Sequence, residues 1–166
     1  MEVLLLDIGE SLVGSYLRYI ENCDFVHYQT YGEGQGEVDV IGMRLSDRRV
    51  WLCEVAVHLA GLHYGGYAGS RDKVKQKIDR AEVLAERLFS DQQAVYEFWS
   101  LRVPPGLASM LGELEQDYVG RGLDVSFVIN ERFTERIEAL RAEAATDMKA
   151  TAEPAYRLLQ ILTHLR

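Results

Sequence analysis

The sequence predicts a mixed α/β domain: one mixed β-sheet with helices packed on both faces. Three observations carry this. Helical and strand periodicities alternate along 166 residues without repeats or low-complexity segments. Three strand-like stretches follow one another near the start and are joined by turn-rich segments. Further strands are then separated by helical stretches, which favours packed layers over an all-β or all-α design.

The elements follow in order. Residues 8–22 read as a helix, with Asp7 as its cap and Val13, Tyr16, Leu17 and Ile20 at helical spacing. Residues 25–31, 37–45 and 50–59 read as strands rich in β-branched and aromatic types, separated by the turn clusters 32–36 and 46–49. A glycine-rich loop at 60–70 carries His63, Tyr64 and Tyr67. A helix is expected over about 71–90, with an apolar stripe of Val74, Ile78, Ala81, Leu84, Ala85 and Leu88. A strand at 94–103 ends at Pro104 and Pro105, and a helix at 107–119 leads to a strand at 123–130. Asn130 is positioned to cap a helix running to about 146. Pro154 stands near the start of a last amphipathic helix carrying Tyr156, Leu159, Ile161, Leu162 and Leu165, which reads as a core or dimer helix. The order is α-β-β-β-α-β-α-β-α-α, in a single domain spanning 1–166.

Composition narrows the function classes. No apolar run approaches the roughly 20 residues of a membrane span. The start lacks the basic segment of a secretory signal, so a cytoplasmic location is the default expectation. Cys23 and Cys53 form no CxxC pair and are expected to be free and packed inside. No GxGxxG opens a helix after a strand and no P-loop sequence occurs, which excludes the common nucleotide-binding motifs. The net charge of −8 is unusual for a nucleic-acid protein, but charge can be segregated. Residues 71–80 carry five cations against two acids.

Two carboxylates stand in apolar strands. Glu54 lies within WLCEVAV, and Asp39 is flanked by Val38 and Val40. Such a group is costly to bury unless paired or bound to a cation. Side chains alternate along a strand, so Leu52, Glu54, Ala56 and His58 are expected on one face. Antiparallel pairing would bring Asp39 and Glu54 together, where a hard divalent cation relieves their repulsion. Pairing with a nearby Arg or Lys, or a place at a solvated sheet edge, is the alternative.

The helix carrying Glu10, then GEVDVIG, a turn and WLCEVAVH, resembles the core of the PD-(D/E)xK, or restriction-endonuclease-like, nuclease superfamily. The resemblance covers residues 9–90. It implies Mg²⁺- or Mn²⁺-dependent hydrolysis of phosphodiesters in DNA or RNA, with Asp39 and Glu54 as the metal-binding acids and Glu10 as an additional acid from the first helix. The motif's lysine position falls on Ala56, which cannot hold a nucleophilic water. Lys77 lies within the apolar stripe of the helix after the Glu54 strand, and the resemblance allows the catalytic lysine to be relocated there. A snorkelling lysine or a plain Lys77–Glu54 salt bridge is the alternative. Lys73 and Arg80 at the stripe's edge are candidates for phosphate contacts. His58 is a candidate for phosphate binding or proton transfer, set against a hydrogen-bonded structural histidine. Glu10 also has capping-box spacing from Asp7.

Three functions are therefore weighed. One is a nuclease with a relocated lysine. Another is a catalytically inactive module that keeps the fold, and the third is an acidic interaction protein that mimics nucleic acid. A homodimer or a protein partner is plausible for a domain of this size.

Overall fold

A computed structural model describes residues 6–31 and 37–166. The expected turn at 32–36 lies outside the described residues. The elements are α1 (Ile8–Tyr19), β1 (Phe25–Tyr31), β2 (Glu37–Arg44), β3 (Arg49–Val55), α2 (Tyr67–Leu88), β4 (Gln93–Ser100), α3 (Pro105–Gly120), β5 (Asp124–Ile129), α4 (Glu131–Thr146) and α5 (Pro154–Thr163). Their order is the one the sequence predicts.

The five strands form one mixed sheet in the order β1-β2-β3-β4-β5. The first three are antiparallel, and β3, β4 and β5 run parallel. The connections dictate this. A short turn reverses the chain between β2 and β3, whereas α2 and α3 carry it across to the next parallel strand. Both crossovers advance in the same direction across the sheet, so their common handedness puts both helices on one face. Leu52, Ile78, Phe98, Leu107, Leu111 and Phe127 pack together there. The opposite face is covered by α1, α4 and α5, around Val13, Leu17, Trp51, Trp99, Phe133 and Tyr156. Cys23 and Cys53 are both free and buried in this second layer. Among the described residues, no helix is long and apolar enough to cross a membrane.

Several boundaries differ from expectation for identifiable reasons. The strand expected over 50–59 stops at Val55, because the Val55 amide donates to the Asp39 side chain instead of continuing the ladder with β2. Ala56 still holds to β4, donating to the Trp99 carbonyl at 2.8 Å, and then the chain turns away. The next helix starts at Tyr67, four residues early, after Gly65 and Gly66 at positive φ reverse the chain. Leu88, expected in its buried stripe, is 51% exposed. Asn130 precedes α4 but does not cap it. Its side chain instead clasps Val103, accepting from the amide at 2.8 Å and donating to the carbonyl at 3.0 Å. On α5 the buried residues are Ala155, Tyr156 and Gln160, while Ile161 and Leu162 are exposed, as is Leu165 beyond its end.

The outer edge of β5 is closed by side chains. Phe127 N–H donates to Glu115 Oε2 at 2.7 Å, and Arg132 Nη1 pairs with Glu115 while donating to the Phe127 carbonyl at 3.3 Å.

Candidate functional site

The β2–β3 register runs from Arg44↔Arg49 to Val40↔Cys53. Ile41 opposes Leu52, and both point toward α2. Two residues further along each strand, alternation brings Asp39 and Glu54 to that same face, beyond the last paired rung. Their spacing from the core is set by Val74, Ile78 and Ala81, which anchor α2 on the sheet. Lys77 lies between these anchors, so its side chain is directed inward.

The three groups meet. Lys77 Nζ donates to Glu54 Oε2 at 2.5 Å and lies 3.9 Å from Asp39 Oδ2. The same Asp39 oxygen accepts the Val55 amide at 2.7 Å. Glu54 is fully buried and Asp39 is 6% exposed. Glu54 Oε1 is buried without a hydrogen-bonding partner. Leaving such an acceptor unsatisfied costs roughly 1–3 kcal/mol.

Charge follows burial. Desolvation pushes the Glu54 carboxyl up to about 7; Lys77 opposes this and the Asp39 charge adds to it. Asp39 is also raised by desolvation, against the pull of Lys77 and the Val55 amide. Burial alone would lower Lys77, but Glu54 and Asp39 outweigh it and hold the ammonium above its ordinary range. The site thus keeps a cation beside two carboxyls that burial raises above their ordinary range.

Glu10 is buried on α1 and bonded to Gln29 Nε2 at 3.2 Å, rather than closing a capping box. Its carboxyl is raised by burial and then by the Asp39 charge, which puts it within electrostatic range of the pair. Among the described residues, no three carboxylate, imidazole or thiol groups are gathered at metal-ligand spacing.

Lys73 and Arg80 are exposed on α2 to either side of Lys77, and the Arg80 charge acts to lower Glu54. The surplus of cations at 71–80 is partly consumed locally: Arg71 pairs with Asp72 and Lys75 with Asp79. His58 does not share the Glu54 face. It lies past the end of β3 in the turn that follows, exposed to solvent, because alternation stops where the strand stops.

The glycine-rich loop brings Tyr64 within electrostatic range of the cluster: its hydroxyl is raised first by burial, with Lys77 opposing and Asp39 and Glu54 adding. One feature escapes the sequence reading. On the opposite face, Glu97 is 2% exposed and accepts from Arg136 Nη1 at 2.9 Å and from Trp99 Nε1 at 2.8 Å. A carboxylate within the apolar strand VYEFWS is the same signal that singled out Asp39 and Glu54. Unlike Glu54, Glu97 has hydrogen bonds to both oxygens, which marks it as a structural ion pair.

No protein-family model, curated protein or solved structure matches the chain.

Proposed function

We propose that the protein is a metal-dependent phosphodiester hydrolase, a nuclease of the PD-(D/E)xK type acting on DNA or RNA, in which Lys77 of α2 replaces the lysine missing at Ala56. The observation that carries this reading is the Lys77 ammonium between two buried carboxylates from adjacent strands. The donor set suits a hard divalent cation, since it offers only oxygens and one of them, Glu54 Oε1, is buried and unbonded. Asp39 and Glu54 would hold the ion, with Glu10 supporting them from α1. Mg²⁺ or Mn²⁺ so held supplies polarisation of a phosphoryl oxygen and acidification of water.

The chain's own groups do the rest. Lys77, held protonated by its acidic neighbours, orients the attacking water and offsets negative charge at the phosphorus. Lys73 and Arg80 contact flanking phosphates. The α2 anchors Val74 and Ile78 fix the ammonium in place, so little reorganisation is needed during the reaction.

The test is cleavage of labelled DNA and RNA, single- and double-stranded, in Mg²⁺ and Mn²⁺, with calorimetric titration of Mn²⁺ alongside. Asp39→Asn is expected to abolish metal binding and to lower cleavage on the order of a thousandfold, since the metal contributes several kcal/mol. Lys77→Met is expected to remove cleavage and retain metal binding. Absence of cleavage with every substrate, together with no Mn²⁺ heat, would overturn the proposal. That outcome would favour the second reading, a non-catalytic module, which the tight Lys77–Glu54 ion pair also accommodates.

A further inference from the structure

The three groups of the buried cluster differ in their contact with solvent. The Lys77 side chain is 18% exposed, that of Asp39 8% and that of Glu54 0%. Lys77 is therefore the outermost of the three and Glu54 the innermost. Glu54 gives Oε2 to the ammonium at 2.5 Å and leaves Oε1 buried without a hydrogen-bonding partner. Asp39 Oδ2 stands 3.9 Å from the same nitrogen. One ammonium thus spans both acids and lies on the solvent side of the deeper one.

A divalent ion held by Asp39 and Glu54 needs the same ground. Mg²⁺ sits about 2.1 Å from its oxygens and keeps several waters, so it takes more room than the ammonium leaves. Charge adds to the conflict. With both cations present, a charge of +3 would face two carboxylates in a desolvated pocket, where like charges repel far more than in water. With the ion alone, its charge matches the two acids. The exchange does not require α2 to move. Val74, Ile78 and Ala81 are fully buried and hold the helix on the sheet, while the flexible four-carbon stem of Lys77 can turn its ammonium to water.

We infer that Lys77 is a plug on the cation site: its ammonium holds the place between Asp39 and Glu54, and a divalent ion loads by exchange with it. The buried acids then keep a positive partner on both sides of the exchange, so neither is left as an uncompensated charge. Turned outward, the ammonium stands on the solvent side of the ion, from which water and a phosphodiester arrive. The inference rests on the metal site of the nuclease reading and not on cleavage.

The test measures metal binding without nucleic acid. Mn²⁺ is titrated calorimetrically into the unsubstituted protein, Lys77→Met and Lys77→Gln, with Asp39→Asn as the control that lacks a ligand. Removing the ammonium is expected to tighten Mn²⁺ binding about tenfold or more. A second measurement needs no substitution. Lysine is labelled with ¹³C at Cε, and the Lys77 resonance is followed by NMR through a Mg²⁺ titration of the unsubstituted protein. At saturation it is expected to move from the position of a buried, paired lysine to that of a solvated one. Mn²⁺ binding that is no tighter in either variant, or a Lys77 resonance unmoved at saturating Mg²⁺, overturns the inference and leaves the metal site standing. No Mn²⁺ binding by the unsubstituted protein or by either variant overturns the inference and the nuclease reading together. Tighter binding by the variants, without cleavage of DNA or RNA by the unsubstituted protein, supports the plug and removes the nuclease.

Discussion

Lys77 and Glu54 stand 23 positions apart in the chain, and their charged atoms meet at 2.5 Å between α2 and β3. The ion pair joins a helix to the centre of a sheet where apolar contacts alone would suffice. Glu54 is held there by strand alternation and Lys77 by the helix repeat. Neither element can turn its side chain outward without exposing its apolar neighbours. The contact is thus a consequence of two periodicities meeting.

Removing the cation isolates two buried acids. Lys77→Met is expected to destabilise the fold by roughly 3–5 kcal/mol at pH 8, because Glu54 and Asp39 then lack their shared partner. The loss should shrink at pH 5, where Glu54 carries a proton. Urea unfolding at the two pH values checks this, and an equal loss at both would contradict the assignment of Lys77 as the compensating charge.

Glu54 also gives the stability curve a sign. Its folded value of about 7 lies above the ordinary 4.5, so between these pH values the folded chain retains a proton that the unfolded chain releases. Its contribution to stability is therefore greatest below pH 4.5, falls as pH rises to about 7, and is level beyond. The full span amounts to roughly 3 kcal/mol. Glu54→Gln is expected to flatten this segment of the curve, as measured by chemical denaturation from pH 4.5 to 8.

Gly14 faces Tyr28, whose hydroxyl donates to buried Glu153. A Cβ at Gly14 would lie 2.0 Å from that hydroxyl, so Gly14→Ala must displace the ring and its bond. A loss of roughly 1–3 kcal/mol is expected. Gly112→Ala within α3 meets no atom within 4 Å and should instead stabilise by up to about 1 kcal/mol. Thermal melts of the two variants should move in opposite directions.

The Glu97–Arg136 pair offers a double-mutant cycle on the far face. Arg136→Met strands a carboxylate in the Trp99 layer and should cost roughly 3–5 kcal/mol. Adding Glu97→Gln removes that buried charge, so the double variant is expected to recover part of the loss. Trp99 fluorescence should shift when its indole N–H loses the charged acceptor. A double variant no more stable than Arg136→Met would argue against a charge-pair origin.

The element order and the inward direction of Lys77 were legible because both rest on periodicity. So was the approach of Asp39 to Glu54, which follows from antiparallel pairing across a short turn. The end of β3 was not legible, since it depends on a side chain from β2 taking the Val55 amide. That is a tertiary event with no local signature, and it is why His58 falls outside the site. The clasp of Asn130 on Val103 is another such event, and it overrides the capping role that the sequence position suggests. Tyr64 was visible only as part of a glycine-rich loop, because nothing in a loop's composition fixes where it folds back. Glu97 carried the same signal as Asp39 and Glu54 and differs only in being fully hydrogen-bonded.

The Glu115–Arg132 pair across the Phe127 backbone has a further consequence. A bare strand margin invites another polypeptide to extend the sheet, and crowded or partly unfolded molecules assemble that way. Here any newcomer must first break a charge pair and evict it from the rung it occupies. This flank of the protein therefore resists becoming the seed of a fibril.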